Sequence, residues 1–178
     1  MALSYDFIAS YTAPSNQNYI TFNNIPSTYT HLYLKGNQRS TRNGGDDGST
    51  QYFYNNSQSA NYNYASVFQY NASGLQAGNA VNQTYNNIEG IPQVAGSGSD
   101  FYGGFELFIP NYVTGSRYHP SLAFGINTRQ ASPGGIYAEG AGQRYVTDAI
   151  TRIDLMTDVA GAQFVTGSSY YLYGIKNA

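Results

Sequence analysis

Tyr29-Thr30-His31-Leu32-Tyr33-Leu34-Lys35 alternates along its whole length. Leu32 and Leu34 share one side with Thr30, while Tyr29, His31, Tyr33 and Lys35 share the other. A period of two sends successive side chains to opposite faces of a pleated strand, so this stretch reads as a strand with one face in a core.

The same reading extends in both directions. Upstream, Asn24-Ile25-Pro26-Ser27 is a turn, since proline sets φ and lacks a donor. Before it, Gln17 to Asn23 reads as a strand with Ile20 and Phe22 as its buried pair, and Tyr5 to Ser10 as the first strand. Downstream, Asn43-Gly44-Gly45-Asp46-Asp47-Gly48 is a loop. Tyr52 to Asn56 and Tyr64 to Tyr70 read as short strands. From Asn71 to Gln83 the pattern dissolves, and Leu75 there belongs to a short helical turn or a long loop. Ile88-Glu89-Gly90-Ile91-Pro92 is irregular and Gly96-Ser97-Gly98-Ser99 a flexible connection, so residues 71–99 are expected to form a long loop region.

The second half is clearer. Phe101 to Ile109 is a strand stopped by Pro110. Leu122, Phe124 and Ile126 alternate with Ser121, Ala123, Gly125 and Asn127. Ser132-Pro133-Gly134-Gly135 is a turn, Ala149 to Met156 a strand, and Asp158-Val159-Ala160-Gly161 another turn. Tyr170-Tyr171-Leu172-Tyr173-Gly174-Ile175 is a final strand, apolar enough on both faces to be buried and suited to a central place in a sheet. No stretch carries an i, i+3, i+4 apolar stripe. The fold expected is a single all-β domain over 1–178, a jelly-roll-like antiparallel β-sandwich of about eight to eleven strands with little helix.

Composition supports sheet and narrows function. The chain of 178 residues has 19 Tyr, 9 Phe, no Trp and no Cys, and only 10% of it is charged, against about 25% in ordinary soluble domains. Aromatic and β-branched residues favour strands. A formal net charge of -2 offers no basic footprint for nucleic acid. The two nearest basic residues, Arg39 and Arg42, read as part of a solvated loop. Cysteine chemistry is excluded. The first ten residues lack a signal-peptide pattern, and no run approaches the roughly 18 apolar residues of a membrane span. The expectation is a soluble protein without nucleic-acid or membrane partners. A nearly neutral, Tyr- and Asn-rich surface suits another protein surface or a sugar, because tyrosine supplies large, rigid, amphipathic contact area.

Candidate sites are few. Asp46 and Asp47 lack the spaced acids of a calcium loop, so no metal is expected. His31 and His119 are the only histidines, and no nucleophile-elbow motif accompanies them. The other carboxylates, Asp100, Glu106, Glu139, Asp148, Asp154 and Asp158, fall into no spacing that places two face to face for glycoside hydrolysis. No cofactor motif is present, and the chain reads as non-enzymatic. The Tyr-rich stretch from Tyr52 to Tyr70 has two readings. Tyr52, Tyr54, Tyr62, Tyr64 and Tyr70, interleaved with Asn, Gln and Ser, form either a contact surface for protein or carbohydrate, or core and cross-strand aromatic pairs. The contact surface is the candidate binding site.

Three segments resemble a known group. Tyr5-Asp6-Phe7-Ile8-Ala9, then Phe22-Asn23-Asn24-Ile25-Pro26-Ser27-Thr28-Tyr29-Thr30-His31-Leu32-Tyr33-Leu34 and, at the other end, Ile150 to Asp154 followed by Phe164, Gly167-Ser168-Ser169 and Tyr171-Leu172-Tyr173-Gly174-Ile175 are similar to small β-sandwich virion structural proteins of tailed bacteriophages, marine and cyanophage types above all. The resemblance covers both ends and little of Gly44 to Gly98. It implies a β-sandwich in a virion, as a head decoration, a tail component or a fibre tip, and the leading expectation is a protein made in the host cytoplasm that decorates or cements the head by surface binding. The alternative it leaves is a tail or fibre-tip module that binds a receptor carbohydrate. Expected partners are major capsid or tail proteins, further copies in a homotrimer, and a host surface glycan. It supplies no catalytic residues.

Overall fold

Leu32 and Leu34 lie fully buried on one side of a strand, as their alternation requires. The structure is a computed structural model describing residues 4–42, 49–70, 74–88, 102–128 and 135–176. Among these residues there are twelve strands and no helix: β1 (Ser4–Thr12), β2 (Tyr19–Phe22), β3 (His31–Gln38), β4 (Thr50–Tyr54), β5 (Tyr62–Tyr70), β6 (Gln76–Gln83), β7 (Asn86–Ile88), β8 (Gly103–Pro110), β9 (His119–Thr128), β10 (Gly135–Arg144), β11 (Ile153–Thr157) and β12 (Ser169–Lys176).

Two antiparallel sheets make a sandwich. The larger has eight strands in the order β1-β12-β3-β8-β9-β10-β5-β6, the smaller four in the order β2-β11-β4-β7. The β-sandwich expected from the sequence is therefore present. Its jelly-roll detail is not confirmed by this order, and the strand number exceeds the expected range by one.

One core joins the layers. Across the large sheet, Leu172, Leu34, Leu107 and Ala123 stand opposite one another on β12, β3, β8 and β9, and Ile20, Phe22, Ile153 and Leu155 bring the small sheet into the same cluster. Burying each such aliphatic side chain contributes about 1.5–3 kcal/mol. Tyr170 is held in this interior by Phe164, ring centroids 5.8 Å apart, and by Phe105, 6.1 Å apart. Gly36 makes room for these rings, since a Cβ there would stand 2.8 Å from both Phe105 and Tyr170.

Toward β9, β10 and β5 the interior changes character. On β9 and β10 the inward positions include Ser121, Gly142, His119 and Arg144, small or polar, while β5 presents Ser66 together with Tyr62 and Tyr64. Tyr52, Tyr54 and Asn86 of the small sheet are buried in this half, and the Tyr52 hydroxyl lies 2.7 Å from the Ser121 hydroxyl, joining the two layers. A Cβ on Gly142 would meet Asn86 Cγ at 2.7 Å.

That exchange of bulk explains the strand the sequence conceals. β10 is an interior strand of the sheet, yet it shows no apolar alternation, because its inward positions Ala138, Gly140, Gly142 and Arg144 are small or hydrophilic. Residues 76–83 and 86–88, expected within a long loop, are instead strands β6 and β7. β6 escapes the alternation rule because it is an edge strand with solvent on both faces, which leaves no pattern of apolar residues to read. Residues 71–73, 89–92 and 96–99 of that loop region, like the Asn43–Gly48 loop and most of the Ser132–Gly135 turn, lie outside the described residues. The last strand holds the interior position expected, between β1 and β3. Only one of its faces is buried, however, since Tyr171 on the other is 38% exposed.

Candidate functional site

The outer face of the eight-stranded sheet is ordered in rows by the strand register. One row crosses every strand: Phe7, Tyr173, Tyr33, Phe108, Leu122, Ala141, Ala65 and Asn79. The next includes Tyr171, Lys35, Glu106, Phe124, Glu139 and Val67, and a third includes Ser169, Asn37, Gly104 and Ile126. These are the positions alternating with the buried leucines, so their direction follows from the pleat.

The face divides into two halves of different relief. On β1, β12 and β3 the rings pack edge to face or tilted against one another. Tyr5 and Tyr33 have centroids 5.8 Å apart, Phe7 and Tyr173 6.0 Å, and Tyr33 and Tyr173 6.3 Å. The Lys35 ammonium stands 5.3 Å from the Tyr173 ring centroid. Burial, and after it a hydrogen bond to Glu106, hold the Tyr33 phenol above its ordinary pKa, so it remains a neutral hydroxyl. On β9, β10 and β5 the relief is low, with Leu122, Phe124 and Ile126 beside Ala141, Ala65 and Val67.

Three open depressions follow β3 across the first half. One, of about 410 Å³, lies among Tyr5, Tyr33 and Tyr173. It shares Lys35 and Glu106 with a second of about 490 Å³, walled by Tyr171, Phe124 and Ile126 over Gly104. The second shares Asn37 and Tyr171 with a third of about 480 Å³ beside Tyr102 and Ser169. Together they make one trough whose floor is the outward side of β3. Tyr102 is fixed at its far end: its hydroxyl donates to the Thr166 carbonyl at 2.9 Å, and Arg39 lies 5.7 Å from its ring centroid.

The tyrosines singled out in the sequence lie elsewhere. Tyr52, Tyr54 and Tyr62 are buried between the sheets, where Tyr54 has its ring centroid 5.8 Å from that of Tyr52 and 6.2 Å from that of Tyr62. The contact-surface reading fails for these three, and the core reading accounts for them. The cause is the stacking of the two sheets, since Tyr52 and Tyr54 on β4 face the large sheet and Tyr62 on β5 faces the small one, an arrangement not visible in the local alternation. Tyr64 is half-buried on the same inward side, opposite Gly142. Tyr70 ends β5, and its side chain lies outside the described part. Rings that do reach solvent are those of Tyr19, Tyr102, Tyr118 and Tyr145 and, on the outer face of the large sheet, those of Tyr5, Phe7, Phe124 and Tyr171. A visible sign of this was their place at alternate positions opposite buried residues, as for Tyr171 and Tyr173 around Leu172.

The remaining candidates are engaged structurally. His119 is fully buried, and its Nε2 donates to the Asp148 carbonyl at 2.6 Å. His31 Nδ1 accepts from the Asn111 amide at 3.1 Å. Asp154 accepts from Thr21 at 2.7 Å and from Arg152 at 2.7–2.9 Å. Asp158 accepts from Arg42 at 3.2 Å and Ser49 at 3.1 Å, with burial holding its carboxyl above the usual range. Arg42 and Arg39 are thus both in contact with the body of the protein, not merely solvated. Glu106 and Glu139 stand on the outer face, and Asp46, Asp47 and Asp100 lie outside the described residues. Among the described residues no group of three His, Asp or Glu side chains converges as a metal site would require.

No protein-family model matches the chain, and no curated protein matches it. Among solved structures it is similar to a xylan β-1,4-xylosidase from Bacillus halodurans C-125, at 9% identity and a TM-score of 0.36, over 89% of this chain and 33% of that one. The chain thus spans about a third of that protein's length, and a likeness of this degree carries no argument about activity.

Proposed function

We propose that this chain is a non-enzymatic structural protein of a tailed-bacteriophage particle that works by surface binding, first of all as a head decoration protein. The single observation that supports binding is the low-relief outer field of β9, β10 and β5. There Leu122 and Ile126 are 42% and 59% exposed beside small residues. Exposed apolar surface of this kind, interrupted by Glu139 between Phe124 and Val67, marks an interaction site, and flat surface with few charges suits a protein neighbour. The phage assignment rests on the resemblance of the two ends of the chain to virion proteins.

The test is rebinding of purified protein to particles that lack it. Attachment is expected to persist at high salt, because few charges are available to be screened, and to weaken at least tenfold in Ile126→Glu. Attachment abolished by modest salt, or untouched by that substitution, would count against the field as the docking surface. Gold-tagged antibody on intact particles then places the protein. Label on the tail replaces the decoration role by that of a tail component, and absence of label from particles with an accessible epitope removes the virion assignment.

A further inference from the structure

We infer that the trough along β3 binds an uncharged polysaccharide chain, with one sugar ring in each of its three depressions. This rests on the reading of the protein as a non-enzymatic binding module and names a ligand for the trough beside the docking field, with which it shares Phe124 and Ile126.

Shape comes first. Tyr33, Lys35 and Asn37 are successive outward residues of one strand, so the floor runs straight for roughly 13 Å. The depressions adjoin, sharing side chains at each junction. Such a row suits an extended ligand of repeating units more than one compact molecule. Gly104 creates the central hollow. A Cβ there would sit in ordinary contact, 3.5 Å from Asn37 Oδ1 and 3.6 Å from Ile126 Cγ2, so the backbone does not require glycine for space and the missing side chain opens the floor.

Chemistry selects among extended ligands. A peptide adds to a sheet through its main chain at a free edge. Here β12, β3 and β8 are paired on both sides, so their backbone groups are already used. An anionic polymer needs clustered cations, but among the described residues the one cation lining the depressions, Lys35, stands directly opposite Glu106 in the register. What the trough presents is aromatic faces beside neutral donors and acceptors: Tyr171 and Phe124 with Asn37 and Ser169. A pyranose ring has the matching form, an apolar face ringed by hydroxyls. Binding sites of this type combine an apolar lining with a few placed polar groups.

The experiment is calorimetric titration of the full chain with oligosaccharides of one to four units from glucan, mannan, galactan and xylan chains, with a galacturonan tetramer as the anionic control. The expected result is binding of at least one neutral series, tightening from mono- to trisaccharide. Affinity should fall at least tenfold in Tyr171→Ala and in Gly104→Val, each with an unchanged melting temperature. Absence of binding by every neutral series, equal binding of the galacturonan, or affinity untouched by both substitutions would overturn the inference. Particle rebinding, measured in parallel, separates the two proposals. Rebinding without sugar binding leaves the docking surface standing and removes the trough ligand, and sugar binding without rebinding does the reverse.

Discussion

The Arg144 guanidinium, 3% exposed at the end of β10, donates to the carboxylate of Asp148 at 2.8 Å. The acid is held below its ordinary pKa against the opposing effect of burial, by the Asn55 amide and by Arg144 itself. Asp148 thus compensates a charge that has lost its water. Removing one partner of a buried ion pair leaves the other uncompensated. Because Asp148 is itself 47% exposed and solvent screens the pair, Asp148→Ala should cost on the order of 1 kcal/mol in urea denaturation, and Asp148→Asn clearly less, because its amide oxygen still accepts. Equal stability of Asp148→Ala and the parent would show that water replaces the carboxylate without cost.

Asn55 ties the same corner together. Its backbone has φ 55°, its Oδ1 accepts from the amides of Thr151 and Arg152 at 2.9 and 3.1 Å, and its amide donates to the Ala149 carbonyl at 2.8 Å. Asn55→Ala should lose these bonds and strain the left-handed backbone. Asn55→Gly loses the bonds alone and should be more stable than Asn55→Ala by about 1 kcal/mol. Thermal unfolding of the pair measures the difference, and the reverse ranking would contradict the conformational part of the argument.

Gly142 and Asn86 compete for one space. Because an added Cβ would lie 2.7 Å from Asn86 Cγ, Gly142→Ala should destabilise by about 1–3 kcal/mol. Combining it with Asn86→Ser should recover part of that loss, since contacting residues are energetically coupled. Strict additivity in a double-mutant cycle would place the strain elsewhere.

Burial holds the His119 imidazole below its ordinary value of 6.5, the nearby Arg144 charge adding to the effect. The unfolded chain then takes up a proton first. Stability attributable to His119 is complete above pH 6.5 and declines as pH falls from there toward the folded value. Asp158, raised by burial, acts in the opposite sense at lower pH, so the comparison with His119→Gln isolates the histidine. The parent should lose more melting temperature than His119→Gln between pH 7 and pH 5. Parallel pH profiles would mean that the imidazole titrates alike in both states.

Much of the fold was open to reading because alternation is a local property. Leu32, Leu34, Leu107 and Leu155 occupy buried positions that a two-residue period assigns without knowledge of any partner strand. The turn containing Pro26 and the one ending at Gly161 were equally legible. In the first Asn24 has φ 54°, and in the second Gly161 has φ 82°, conformations that these residue types tolerate. β10 and β6 were not legible: one has small and polar side chains facing the interior, and the other lacks a buried face.

The sequence alone thus determined the all-β class, the charge-poor character of the surface and which side of each well-patterned strand turns inward, because the pleat converts order along the chain directly into direction. It did not determine whether an outward face meets solvent or a second layer. Tyr54 and Tyr171 are residues of one type on comparable strands, yet the first is fully buried and the second is 38% exposed. The large sheet covers the first, and nothing among the described residues covers the second. That distinction depends on the packing of strands far apart in the chain, and the trough exists only because β12, β3, β8 and β9 meet in one register.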